Sequence, residues 1–139
     1  MKISNINFAA LLLRVGLGVM LVAHGLLKVM VFTLAGTAQF FEQVGFPSWM
    51  AYPVTFLEIA GGALLIVGIY SRFVAITAIP VLLGALYVHL GNGWLFTAQN
   101  GGWEYPAFLV MSAVVVALLG DGEYSIQNMF IKRNQIAKA

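Results

Sequence analysis

Four stretches of this chain are apolar enough to leave water, and that constrains its fold more than anything else in it. A bilayer span needs roughly 20 predominantly apolar residues. Candidate spans run at about 8–31, 50–69, 73–90 and 103–120, so little of the 139-residue chain lies outside them. Hydrophobic residues make up 61% of the sequence and charged residues 9%, against about 25% charged in soluble domains. The pattern predicts an all-α polytopic membrane protein. It forms one four-helix transmembrane domain over 1–139, with 121–139 as a juxtamembrane tail. Lys2 ahead of an apolar run has the look of a signal peptide, but Arg14 interrupts the run and no small-x-small site follows before His24. The segment reads as a retained first span.

Between spans one and two, Phe40, Phe41 and Val44 fall at helical spacing opposite Gln39 and Gln43. This predicts a short interfacial helix, ended at Gly45–Pro47. A tight turn at Tyr70–Arg72 joins spans two and three, and the glycine-rich "GNGWLFTAQNGGW" joins spans three and four. Gly120 and Gly122 read as helix caps. Lys2, Arg72, Lys132, Arg133 and Lys138 fall on one side of this arrangement, and Glu42 and Glu104 on the other. The positive-inside rule then places both termini in the cytoplasm and Trp49, Trp94 and Trp103 at the opposite interface.

The net charge of +2 comes without a basic stripe interleaved with aromatics, so nucleic acid is not an expected partner. The chain has no cysteine, which excludes a disulfide framework, a CxxC thiol relay and an internal iron–sulfur site. No Walker loop, Rossmann fingerprint or nucleophile triad is present.

What remains is a set of ionisable residues inside apolar helices. At about 100° per residue, Arg14, His24 and Lys28 project within roughly 80° of one another, beside Gly18 and Gly25. This charged face must look into the bundle, because insertion of a charge at mid-membrane costs about 2.5–3.5 kcal/mol. A rise of about 1.5 Å per residue places Glu58 between Arg14 and His24 in depth. It places His89 level with His24, and Glu104 near Lys28. Two groupings follow: a structural charge pair Arg14–Glu58, and a ligand-binding or proton-exchange cluster of His24, Lys28, His89 and Glu104, with Glu58 within reach. Charges that merely fix helix register are the alternative for each. Gly61 and Gly62, one turn beyond Glu58, suit packing against span one. Two histidines at one depth raise bis-histidine haem ligation, but two lone histidines do not carry it. His24, His89 and Glu104 have ligand chemistry for zinc or iron, yet nothing fixes a geometry, and no metal site is assigned.

"RVGLGVMLVAHGLLKV", "FFEQVGFP", "EIAGGALLIVGIYSRFVA", "GGWEYP" and a closing "GDGEYSIQ" occur in that order. Together they resemble the DoxX family of small bacterial membrane proteins over about residues 10–127. The family's last block often reads G-P-G-x-x-S-[LI]-D. Here Asp121 stands at the proline and Gln127 at the aspartate. The resemblance implies a four-helix inner-membrane protein. Among relatives it counts the membrane subunit of an archaeal thiosulfate:quinone oxidoreductase, and a mycobacterial member linked to oxidative-stress defence alongside partner enzymes. Carried over by position, Arg14, His24, Lys28, Glu58 and Glu104 match the family's polar residues, His89 less closely.

The expectation is a membrane subunit or stand-alone protein of a quinone-linked redox process. A quinone or similar small molecule would sit in an intramembrane polar pocket. His24 or Lys28 would hydrogen-bond a ligand oxygen, and Glu58 or Glu104 would exchange a proton. Electrons would come from a partner redox enzyme or a soluble donor. The alternatives are a non-enzymatic small-molecule or ion carrier, for which four spans would require a homo-oligomer, and a structural partner of a redox complex.

Overall fold

A computed structural model describes residues 5–136. Lys2 and Lys138, invoked above for orientation, lie outside them. Among the described residues there is no strand. Helix α1 runs Asn5–Met30 and α2 Leu34–Gln43. The second long helix starts as a 3-10 turn at Ser48–Met50 and continues through α3 (Ala51–Phe56), a π segment (Leu57–Gly61) and α4 (Gly62–Val67). Then come α5 (Ser71–His89), a 3-10 turn at Leu90–Asn92, α6 (Glu104–Leu119) and α7 (Ile126–Ile136).

Three helices are long and apolar enough to cross a membrane: Asn5–Met30, Ser48–Val67 and Ser71–Asn92. Helix α6 is equally apolar but has 16 residues. That is about 24 Å of helix, short of the 30 Å hydrocarbon core of a typical bilayer.

Burial follows helical spacing. On α1 the buried positions are Ala10, Arg14, Leu17, Gly18, Leu21 and Gly25, steps of three and four that define one face. On the second helix they are Ala51, Thr55, Glu58, Gly61, Gly62 and Leu65. Helices α5 and α6 pack through small residues, with Ala75, Ala78 and Ala113 essentially without exposure. Leu17, Leu21, Leu65, Val74, Leu82, Leu109 and Val116 fill the space between. Small residues let helices approach where no water is expelled to drive them together. The outside is apolar too: Phe56 and Leu118 are each 72% exposed and Phe73 67%. Such a surface suits hydrocarbon.

Gly18 and Gly62 mark where α1 crosses the second helix. A Cβ on either would lie 2.7 Å from the other's carbonyl oxygen, so the two backbones touch here and no side chain fits. Gly62 therefore packs against span one, as its sequence position suggested, whereas Gly61 faces Val74 of α5.

The bundle has two ends. At the terminal end, α1 begins, α4 turns into α5, and α6 gives way to α7. At the loop end are the C-terminus of α1, α2, and the 93–103 loop. Helix α2 forms where the aromatic spacing placed a helix. Its start is set by Thr33, whose hydroxyl accepts from the Gly36 amide at 3.1 Å, and its buried residues are Thr37 and Ala38.

Candidate functional site

Within the apolar bundle the charged residues sort by the direction in which their side chains leave the helix. Every Cα–Cβ bond in an α-helix tilts toward the helix N-terminus. On α1 that is toward the terminal end, so Arg14 and Lys28 both lean that way. The second helix runs oppositely, and Glu58 leans toward the loop end. Lys28 and Glu58 therefore lean together, and Arg14 and Glu58 lean apart.

The contacts follow this rule. Lys28 Nζ donates to both carboxylate oxygens of Glu58, at 2.7 and 2.6 Å. The side chains are 18% and 8% exposed, so the pair is largely shielded. Glu58 lies in the π segment, a local widening of the helix that is common at functional sites. Its Cβ rests against Gly25 of α1.

Arg14 does not pair with Glu58, which corrects the sequence-based expectation. Its guanidinium donates to the carbonyls of Leu65, Ile66 (2.8 Å) and Tyr124 (2.9 Å). Leu65 and Ile66 end α4, where carbonyls lack intrahelical donors and the helix dipole favours a cation. Depth reckoned from Cα positions missed this because it ignored the side-chain vectors.

Arg14 is one part of a clamp at the terminal end. Gly68 takes a left-handed conformation (φ +75°), and a Cβ there would lie 2.7 Å from the Arg14 guanidinium and 2.6 Å from Ser125. The closing "GDGEYSIQ" block folds onto this turn. The Ser71 amide donates to Asp121 Oδ1 and the Tyr70 amide to Gln127 Oε1, each at 2.8 Å, and the Gln127 amide donates to the Gly68 carbonyl at 3.2 Å. Asp121 and Gln127 thus satisfy orphan amides at the start of α5.

The other sequence candidates go to separate places. His24 stacks on Tyr105 with ring centroids 5.8 Å apart, one helical turn from Lys28. Its Nδ1 meets the Met20 carbonyl at 2.8 Å. A carbonyl only accepts, so Nδ1 carries the hydrogen, and in the neutral ring Nε2 is left as an acceptor. His89 has the same arrangement with the Ala85 carbonyl at 2.7 Å, and its ring lies by Gly101. Glu104 Oε1 accepts from the Phe96 amide at 2.7 Å, tying the loop to the first turn of α6 beside the edge-on pair Trp94–Trp103. Among the described residues no three His, Asp or Glu side chains gather to hold a metal ion.

Tyr105 is not among the site candidates drawn from the sequence. Its hydroxyl is buried and has no hydrogen-bond partner among the described residues. A cavity of about 260 Å³ opens between the end of α1, the start of α2 and the second helix. Val29, Leu34, Tyr52, Thr55, Phe56 and Ile59 line it, an almost wholly apolar set. At 100° per residue its wall on the second helix faces roughly a third of a turn away from Glu58.

Comparison with known proteins bears on the family. The DoxX family model matches residues 9–91, a range that contains Arg14, His24, Lys28, Glu58 and His89 and stops short of Glu104. A Bacillus subtilis (strain 168) protein named "Putative oxidoreductase CatD" is 33% identical over 118 residues, 84% of this chain and 83% of its own length. No solved structure matches the chain significantly. With a family match over more than half its length and a relative of that identity and coverage, the chain belongs to the DoxX family.

Proposed function

We propose that this protein serves a membrane redox process and binds a quinone or similar small lipid-soluble molecule within the bundle. The observation that carries the reading is the shielded Lys28–Glu58 pair in a π-helical segment, one turn from the His24–Tyr105 stack. Ionisable groups inside membrane helices mark ligand, ion or proton paths by default. The oxidoreductase name of the Bacillus relative supports the redox half of the reading.

A quinone supplies two-electron chemistry accompanied by two protons, with electrons arriving from a partner enzyme or soluble donor. Its fit rests on the buried Tyr105 hydroxyl, which has no partner among the described residues and is a donor for a ligand oxygen beside His24. The apolar cavity beside α2 faces away from this site and is not part of it. Lys28 has a third ammonium hydrogen beyond the two directed at Glu58. In this reading His24 Nε2 accepts from the hydroxyl of the reduced quinol. Glu58, against the Lys28 ammonium, is the carboxylate assigned to proton exchange.

In this reading α6 completes a four-span, single-domain bundle over 1–139, multi-pass in a bacterial inner membrane with both termini cytoplasmic. Arg72, Lys132 and Arg133 at the terminal end support that orientation, as do Trp49, Trp94 and Trp103 at the loop end.

The test is titration of purified protein with ubiquinone or menaquinone, read by tryptophan fluorescence, with extraction of co-purifying lipids. Saturable quenching is expected, weakened at least tenfold in Tyr105→Phe and in Glu58→Gln that remains folded. A flat titration with no quinone in the extract sinks the proposal. A second reading, that Lys28–Glu58 only braces two helices, is favoured by its two-oxygen closure. It predicts that Glu58→Gln unfolds the protein and Tyr105→Phe binds quinone normally.

A further inference from the structure

Helix α7 has no part in the site above, yet it carries an exposed apolar stripe that water does not favour. Ile126, Met129 and Phe130 are 38%, 67% and 59% exposed. With Arg133 they fall within an arc of about 100°. Lys132 flanks them, joined only loosely to Glu123 at 3.8 Å. Ile131, 48% exposed, lies on the other side, and the helix is anchored only through its first turn. Gln127 bonds both ways to the 68–70 turn, and the Asn128 amide donates to the Ser125 hydroxyl at 3.2 Å.

That anchorage fixes where α7 starts. Its first turn is one hydrogen bond from Gly68 and Tyr70, the junction between two helices long enough to span a membrane. Tyr70 is itself 65% exposed, and aromatic side chains of this kind settle at the headgroup level. Helix α7 therefore begins where spans leave the hydrocarbon. An exposed apolar stripe that ends in Arg133 and is flanked by Lys132, at that depth, has the chemistry of a helix lying in the interface, its apolar side chains among acyl chains and its cations reaching the phosphates.

We infer that α7 is an anionic-lipid-binding interfacial helix: Ile126, Met129 and Phe130 insert into the leaflet at the terminal end, and Lys132 and Arg133 engage acidic phospholipid headgroups. Each basic residue near an anionic surface shifts the bound population roughly fivefold. The inference is independent of what the bundle binds.

The chain has no cysteine, so single-site labelling tests it directly. Full-length protein carrying a fluorophore at Met129→Cys, Phe130→Cys or Gln135→Cys is placed in nanodiscs of phosphatidylcholine alone or with 30% phosphatidylglycerol. Brominated lipid should quench positions 129 and 130 severalfold more than 135, more strongly with phosphatidylglycerol present. Lys132→Gln/Arg133→Gln should remove that lipid dependence. Equal access of aqueous iodide to all three positions in both lipids overturns the inference. So does equal lipid quenching in the two compositions, which denies headgroup recognition. Protection from iodide without lipid quenching also overturns it, and assigns the stripe to a second copy or a protein partner.

Discussion

Lys28 and Glu58 differ from an ordinary surface ion pair in being largely shielded, with side chains 18% and 8% exposed. Removing one partner of a buried pair costs about 3–5 kcal/mol, whereas replacing both by apolar groups of similar volume is often neutral. Lys28→Met alone should therefore destabilise the fold by about that amount, and Lys28→Met/Glu58→Leu should recover most of it. Thermal unfolding in detergent measures both. Arg14 is a different case. Its planar guanidinium serves three carbonyls at once, which a lysine's point charge cannot reproduce. Arg14→Lys should cost about 1–3 kcal/mol in the same assay. The identity of these residues as inward-facing was legible from the 3.6-residue period, since Arg14, Gly18 and Gly25 are all buried. Which charge meets which was not. Pairing depends on the slant of each side chain along its helix, a vector that spacing in sequence does not contain.

Among the elements, the crossing of α1 and the second helix is the tightest constraint. Gly18→Ala would push a methyl to 2.7 Å from the Gly62 carbonyl oxygen, and overpacking of this kind costs about 1–3 kcal/mol. Gly16→Ala, with nothing within 4 Å of its added Cβ, should be neutral or slightly stabilising. Comparing the two melts separates close packing from helix propensity. Sequence periodicity anticipated helices at all four apolar stretches and at α2. It did not anticipate the π segment at Leu57–Gly61, because one extra residue in a turn leaves no compositional mark. The closing block was harder still. Asp121 and Gln127 work through backbone amides fifty and more residues away, contacts that no local pattern encodes.

For the molecule as a whole, orientation is the property most directly testable. With cysteine absent, Phe96→Cys in the 93–103 loop and Arg133→Cys on α7 report on opposite ends. In intact cells a membrane-impermeant maleimide should label position 96 and leave position 133 unlabelled until the membrane is opened. The reverse pattern would invert the topology proposed above.

The backbone contact at Gly18–Gly62 also gives the molecule a fulcrum. Lys28 stands ten residues beyond it on α1, about 15 Å away, and Arg14 four residues before it, about 6 Å. A rigid rocking of α1 that parts Lys28 from Glu58 by about 2.5 Å moves Arg14 by about 1 Å against the carbonyls that end α4. Any such rocking would be felt at both charged contacts, and at Gly25, where α1 also lies close against Ile59 of the second helix.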